Sequence, residues 1–535
     1  MPTRVRRDAL GPPIGRLLRT LLALSVLAMP ALGAPSLNAQ ERSSHYLYLG
    51  HWAYRYVDLL MARGHLPDLQ PMVRPYRRLD VAMALAKARS GGGLAESEIE
   101  WVELLQAELA PELLGRQLAD SATVVVYGGA EVGAQVLTQR HRDMFRPEGD
   151  EAAFGHLQLA GALDFPGVTA ALRLRYDGWL INDPQFPDGK VVEEHPNFLG
   201  LLDFAARAED GYAEVQLPYV RLMAGRMQRN WGPPRTEGLL VSDYSYSYDQ
   251  IGYRIGSTRL AVTGFVAQLD EFPDFTKRWF AAHRLDWRVN DGLALGFGES
   301  VIWGGENRSF DFRMAMPIAT WFVGGYGKDW EEGPNRNNSF IDLSVWWKPT
   351  AKIVTTAAVM FDDFPGGGSP LAHGVDLGLA LPSLSSRLGL RIGYAQVGAL
   401  TYRTVSEYER YAFRGIGLGR DLADFDRLSV ELDWVPTSSL FLTPTVQVLR
   451  RGEGDFRDPW PAGVTNDGPV LFIGERETTL RLALRGQWIP RRLFWIDWDV
   501  GENLVWSAGH VPGQRANEFV GRLRVSLVAN AWGKL

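Results

Sequence analysis

A chain of 535 residues, 46% of them hydrophobic and 22% charged, has material for two to four ordinary domains. It contains no cysteine, which excludes a disulfide framework and any thiolate metal site. Without residues 1–39, read below as a leader, 51 basic residues face 61 acidic ones, a net charge of −10 that argues against nucleic acid as a partner.

Residues 1–39 have the features of a secretory signal. Arg4, Arg6, Arg7, Arg16 and Arg19 form a basic opening, and Leu21 to Met29 is an uncharged apolar core. Leu37-Asn38-Ala39 is an acceptable cleavage site, whereas Leu32-Gly33-Ala34 is followed directly by Pro35. The apolar core is much shorter than the ~20 residues of a membrane-spanning helix, so export rather than helical anchoring is expected.

Residues 40–120 are predicted to form a small helical bundle. Tyr56, Leu59, Leu60 and Arg63 lie at helical spacing ahead of a stop at Gly64-His65-Leu66-Pro67. A second helix is predicted over Arg78–Arg89, with Val81, Leu85 and Ala88 on one face, and a third over Ser97–Leu109, with Ile99, Val102, Leu105 and Leu109. Such stripes imply mutual packing; a surface that docks a partner, such as export machinery, is the other use of them.

From about residue 121 to the end, ten-residue runs alternate apolar and polar positions. Leu480, Leu482, Leu484, Gly486 and Trp488 oppose Arg481, Ala483, Arg485 and Gln487, and His283, Leu285, Trp287 and Val289 oppose Arg284, Asp286 and Arg288. A period of two sends successive side chains to opposite faces of a sheet. Tight turns are expected at Asp164–Gly167, Asn290–Gly292, Pro349–Lys352, Pro436–Ser439 and Pro490–Arg492. Long connections are expected at 179–199, 305–337, 364–372, 399–424, 451–476 and 506–517. Their alternation, with Trp287, Trp347, Trp434 and Trp488 just before tight turns, predicts an all-β transmembrane antiparallel barrel in an outer membrane, girdled by aromatics at its periplasmic rim. Roughly nineteen runs can be counted, with Leu239–Val241 a possible extra strand; chain ends on one side require an even number, so about eighteen strands are expected.

Enzyme signatures are absent: there is no GxSxG elbow, HExxH or Walker loop, and no cofactor is implied. Two segments break the barrel pattern. In Gly225–Arg235, the prolines of Trp231-Gly232-Pro233-Pro234 cannot continue a ladder. The chain must leave the wall, and a turn into the lumen would carry Arg226, Arg229, Trp231 and Arg235 towards inward carboxylates as a plug or constriction. The second segment starts at Trp303 and runs through Glu306, Asn307 and Arg308 into the loop holding Trp321, Asp329, Trp330, Asn335 and Arg336. Flat aromatic faces beside amides and charges are the residue types that hold sugars. Those nine residues are the candidate glycan contacts, set against the plainer reading of a loop that caps the pore.

Several stretches resemble the capsule assembly Wzi family: Gly225-Arg226 with Trp231-Gly232-Pro233 and Gly238–Ser242, then Ala282–Trp287, Gly304–Arg308 and Phe361–Phe364. Leu59, Arg63-Gly64, Leu66-Pro67, Arg74-Pro75-Tyr76 and Ala82–Leu85 resemble the N-terminal part of such proteins. The chain has Asn230-Trp231-Gly232-Pro233-Pro234 where Trp-Trp-Gly-Pro-Gly is commoner in the family. The resemblance implies an eighteen-strand outer-membrane barrel over a periplasmic helical bundle, with long loops at the cell surface. It also implies a non-enzymatic role in binding, attaching or assembling capsular or extracellular polysaccharide, with outer-membrane lipid around the barrel. A porin-like channel is the alternative that the barrel pattern itself leaves open.

Overall fold

The computed structural model describes residues 43–117, 124–137, 153–178, 204–272, 274–306, 308–317, 321, 337–363, 370–461 and 470–534. The leader, and Asn307, Asp329, Trp330, Asn335 and Arg336 among the candidate glycan contacts, lie outside the described residues.

Four helices open the described chain: α1 (Ala53–Arg63), α2 (Arg78–Gly91), α3 (Glu96–Glu108) and α4 (Ala110–Gln117). α1 ends where the sequence indicated. Gly64 takes a left-handed conformation (φ 96°) and returns its N–H to the last turn, which a side chain there would resist. Pro111 lies just beyond the end of α3 and in the first turn of α4, where its missing N–H costs no helical bond. Between α1 and α2 lies the two-residue strand β1 (Val73–Arg74).

The barrel begins with β2 (Val125–Leu137), β3 (Ala153–Phe165), β4 (Val168–Gly178), β5 (Phe204–Gln216) and β6 (Val220–Met227). After the short β7 (Asn230–Trp231) come β8 (Tyr248–Gly256), β9 (Leu260–Gln268), β10 (Arg278–Asn290), β11 (Leu293–Gly304), β12 (Asn337–Thr350) and β13 (Ile353–Asp363). β14 (Ala372–Ser385) and β15 (Leu388–Val397) precede the small hairpin β16 (Ala412–Phe413) and β17 (Ile416–Gly417). β18 (Phe425–Thr437), β19 (Leu440–Arg451), β20 (Glu477–Arg491), β21 (Phe494–Trp506) and β22 (Arg515–Lys534) complete the wall. Eighteen of these strands pair in antiparallel order and close through β2–β22, while β1–β7 and β16–β17 are separate two-stranded ladders. Leu239–Val241 forms no strand, which removes the extra run counted in the sequence.

Short turns gather at one rim and long connections at the other, as the turn chemistry required. Trp287, Trp347, Trp434 and Trp488 stand beside the short turns and are 50%, 49%, 45% and 41% exposed, forming an aromatic girdle on the outer wall. Leu343, Leu377, Leu428, Val446, Leu482 and Leu527 are exposed on that wall as well. The inner face carries paired charges: Arg284 holds Asp286 (2.7 Å) and Ser344 (2.6 Å), and Arg481 holds Asn503 (2.9 Å) and Asp499 (2.7 Å).

The helices pack onto the short-turn rim rather than only onto one another. Tyr56, Leu60, Trp101 and Leu105 share one buried cluster with Val435, Phe441, Ile489 and Trp495 of the barrel. Arg63 donates to the carbonyls of Pro382 (3.0 Å) and Ser386 (2.9 Å), the Tyr56 hydroxyl to Ser438 O (2.9 Å), and Arg387 grips Glu100 (2.9 Å). The stripes read as mutual packing thus also meet the wall, and burying each such aromatic or aliphatic side chain stabilises the docking by about 1.5–3 kcal/mol.

At the centre of this junction Glu98 accepts from Arg63 (3.0 Å) and lies 3.1 Å from His65. Burial disfavours its charge, but hydrogen bonds from His65, the Ala95 N–H and Arg63 together outweigh burial and bring the carboxyl down to about 2. Glu108, buried beside His51 and Arg78, is likewise held at about 2. A folded value below the ordinary ~4.3 stabilises the fold fully above that pH and loses the contribution as pH falls towards 2. Pepsin should therefore cut within residues 53–117 faster at pH 2.5 than at pH 4.5, relative to cuts in the barrel loops. Glu98→Gln should narrow that difference.

Candidate functional site

The loop 228–247 leaves the wall after β6 and enters the lumen. β7 abandons the barrel ladder and pairs with β1, placing Val73 opposite Trp231 and Arg74 opposite Asn230. The Trp231 N–H donates to Val241 O (2.9 Å) and the Gly232 N–H to Met72 O (3.0 Å), so the loop folds on itself and onto the N-terminal segment. Gly238 leaves no room for a Cβ against the carbonyls of Trp231 and Val241. Around this fold Trp231, Leu239, Leu240, Val241 and Tyr248 bury against Phe265, Phe280, Ile302 and Phe340 of the inner wall.

The four plug candidates divide. Arg229, Trp231 and Arg235 are in the lumen, whereas Arg226 stays at the end of β6 and holds Asp249 with two contacts (3.0 and 2.8 Å). Arg229 donates to the Gln250 amide oxygen (2.6 Å) with its guanidinium over the Phe265 ring (5.4 Å). Arg235 reaches Asp433 of β18 (2.6 Å), Arg55 O of α1 (2.9 Å) and, at 3.6 Å, Asp58. One side chain thus ties plug, wall and helices.

From the far rim, the connection 398–424 descends onto the plug. The hydroxyls of Tyr402 and Tyr411, whose rings stack at 5.2 Å, donate to Leu239 O and Leu240 O (2.5 and 2.7 Å). Asp424, fully buried, accepts from the N–H groups of Gly454 and Ile473 (2.9 Å each), binding the described ends of the connection between β19 and β20 into the same cap. Arg457 holds Asp421 (2.5 Å) and Gly415 O (2.8 Å), and Arg403 holds Asp455 O (2.7 Å).

The connection after β11 behaves differently. Trp303 pairs with Trp279 across the β10–β11 ladder, on the face that also carries the exposed Trp287, so both rings point away from the lumen. They stack at 6.0 Å, and residues 308–317 with Trp321 fold back over them, burying Trp303, Met314 and Trp321 together with Val301. Beneath this cover sits a polar pair on the outer wall: His283 Nε2 lies 3.5 Å from Glu299 Oε2, which accepts the Trp321 N–H (2.9 Å), and the His283 and Trp321 rings lie 4.2 Å apart. Trp303 and Trp321 therefore offer no open ring face; their surfaces are spent in pinning the connection to the wall. Glu306 is exposed and Arg308 half-buried, with its Nη1 3.5 Å from Gly304 O. His283, placed by its alternation in the otherwise apolar set with Leu285 and Trp287, was the one available signal of this covered patch; Glu299 gave none.

Two cavities flank the plug. The first, of about 190 Å³, lies between the helices and the inner wall and is lined by Asp58, Arg235, Asp376, Arg391, Glu431 and Asp433 among others. The second, of about 300 Å³, lies on the opposite side, between the plug residues 243–247 and the inner faces of β3–β5. Among the described residues no group of three His, Asp or Glu is placed to hold a metal ion.

A closed antiparallel barrel with an exposed apolar belt, an aromatic girdle and a lumen packed by its own loops defines an outer-membrane β-barrel protein. No family model matches the chain, and no curated protein matches its sequence. Among solved structures it is similar to Wzi of Escherichia coli, described as an outer-membrane protein involved in group 1 capsule assembly and a carbohydrate-binding β-barrel. The TM-score is 0.61 at 13% identity, over 91% of this chain and 99% of that one. The Acinetobacter baumannii barrels OccAB3 and OccAB4 align over 76% of this chain and 99% and 98% of theirs, with 10% and 11% identity and TM-scores of 0.43 and 0.42. The likeness to Wzi is one of fold, and the resemblance in the sequence stretches thereby has a structural counterpart.

Replacing Trp321 with Ala uncovers the His283–Glu299 pair and removes an apolar anchor of residues 308–317. Trypsin should then cut at Arg308 or Arg313 at least several-fold faster, while the heat-modifiable gel migration that reports a closed barrel stays unchanged.

Proposed function

We propose that this protein is a non-enzymatic outer-membrane scaffold that binds capsular or extracellular polysaccharide and holds it at the cell surface. The observation that carries the reading is the continuous column of helices, plug and cap through the lumen, joined by Arg235, the β1–β7 ladder and the Tyr402 and Tyr411 hydroxyls. A lumen packed by Trp231, Leu239, Leu240 and Val241 suits a rigid platform better than a conducting pore. The fold shared with a carbohydrate-binding barrel of capsule assembly supports the same reading.

In this proposal the short-turn rim and its helices face the periplasm and the long connections face outward. Glycan is held by many weak contacts from Glu306, Asn307, Arg308, Asp329, Trp330, Asn335 and Arg336, with Trp303 and Trp321 fixing the loop that presents them. The helical face that remains is available to export machinery.

A deletion strain should keep total polysaccharide synthesis but shift it from the cell-attached to the released fraction, measured separately. Unchanged fractions would overturn the proposal. The purified protein should be silent in planar bilayers, and removal of residues 229–241 should produce conductance steps. Steady current through the intact protein would favour a porin-like channel instead.

A further inference from the structure

The larger cavity has a chemistry of its own. Arg173, Arg175, Arg207, Arg414 and Arg524 line it, against Glu209 and Asp243 as the only carboxylates in its lining among the described residues. Two of the balancing acids stand outside that lining: Asp210 holds Arg173 (2.7 Å) and Glu131 holds Arg524 (2.6 Å). The cluster as a whole is nearly balanced, yet the surface that a guest would meet is cationic. A guanidinium carries five N–H donors in a fixed fork, and one carboxylate contact leaves several of them directed elsewhere. Arg524 Nε is buried without a hydrogen-bond partner.

Aromatic rings interleave with these cations. The Arg173 guanidinium lies 4.6 Å from the centre of the Tyr48 ring, and those of Arg207 and Arg414 both lie 5.7 Å from that of Tyr246. Glu209 already pairs with Arg207 there, and an anion bound at this ring would add a second carboxylate beside the two cations. Gln158, Gln228, Ser245 and Ser247 add neutral donors and acceptors suited to hydroxyl groups. A volume of about 300 Å³ is at the small end of ligand sites, enough for one or two sugar rings.

We propose that this cavity is a subsite for an acidic sugar, a hexuronate residue whose carboxylate is taken by the arginine cluster and whose ring lies against Tyr246. The assignment rests on the surface-glycan reading and narrows it to acidic polymers. Arg414 comes from the β16–β17 connection of the cap and Tyr246 from the plug, so the elements that close the lumen also build the subsite.

The test uses the full-length protein in detergent and a fluorescently labelled glucuronate oligosaccharide, read by polarisation at low salt. Unlabelled glucuronate should displace the probe at least tenfold more effectively than glucose, and added salt should weaken binding. Losing one charge-assisted contact should weaken binding about tenfold or more. That loss is expected for Arg414→Gln, which lies off the barrel wall, and for Arg175→Gln, with heat-modifiable migration confirming the fold of each. Equal displacement by glucose and glucuronate would overturn the proposal. So would binding of the probe undiminished by both substitutions, although a polymer that still bound would leave the surface-glycan reading standing. If the wild-type protein binds neither the probe nor any acidic or neutral polysaccharide, both readings fail together.

Discussion

The structure depends on one detour of the backbone. After Met227 the chain leaves the wall, and Pro233 and Pro234 deny it the donors needed to return to a ladder. Backbone inside a barrel has little water to satisfy it, so each N–H and C=O of the detour must find a partner in protein. Those needs recruit the neighbours: β1 supplies a ladder for Asn230–Trp231, Met72 takes the Gly232 N–H, and the hydroxyls of Tyr402 and Tyr411 cap the carbonyls of Leu239 and Leu240. Each such bond contributes only about 1 kcal/mol net, but leaving any of them unmade costs more. The N-terminal segment below and the cap above are therefore positioned by the same satisfaction rule.

Arginine does most of the joining, and its chemistry explains why. Asp58 illustrates the cost: burial pushes its carboxyl up, against the pull of Arg74 and Arg235. Arg74 meets it at 2.5 Å, and Arg235 shares it with Asp433. A buried ion pair of this kind adds little net stability compared with a packed apolar substitute, yet losing one partner strands a charge. Such contacts fix which surfaces meet rather than how strongly. The apolar clusters around Trp231 and Trp101 supply the strength.

The legible part of the sequence was the part governed by local rules. Period-two alternation, proline and glycine at the tight turns, and tryptophans at one end of successive strands each follow from neighbouring residues alone, and they gave the barrel, its strand number and its two unlike rims. Gly64 ended a helix where a left-handed residue was needed. The helix that Pro111 opens was not legible, because a proline beyond the end of one helix also starts another well, and only the tertiary course decides. The path of residues 308–317 and the place of Trp321 were not legible at all. A loop rich in Trp and Arg has the composition of a sugar site and of a packed flap alike, and the outer wall that receives Trp321 is assembled from β9, β10 and β11, far apart from the loop in pattern if not in number. The arginine cavity was hidden for the same reason, since Arg173, Arg414 and Arg524 come from widely separated strands and connections.

A column locked at both rims bears on the proposed role of holding a polymer. Affinity gathered from many weak contacts is undermined whenever the contacting surface must first be ordered, because each mobile side chain immobilised on binding costs about 0.5–1.5 kcal/mol. Here the ordering is done on folding. Asp424 fixes two connections to each other, Tyr402 and Tyr411 fix them to the plug, and Trp303 with Trp321 fixes a third connection to the outer wall. The surface presented is therefore preorganised, and under the proposed function a long chain with repeating units would meet it at little entropic cost per unit. A gated pore needs a plug that moves between two arrangements of similar free energy. The loop 228–247 instead ties its own backbone to the N-terminal segment, the wall and the cap at once, so any displacement breaks three sets of contacts together.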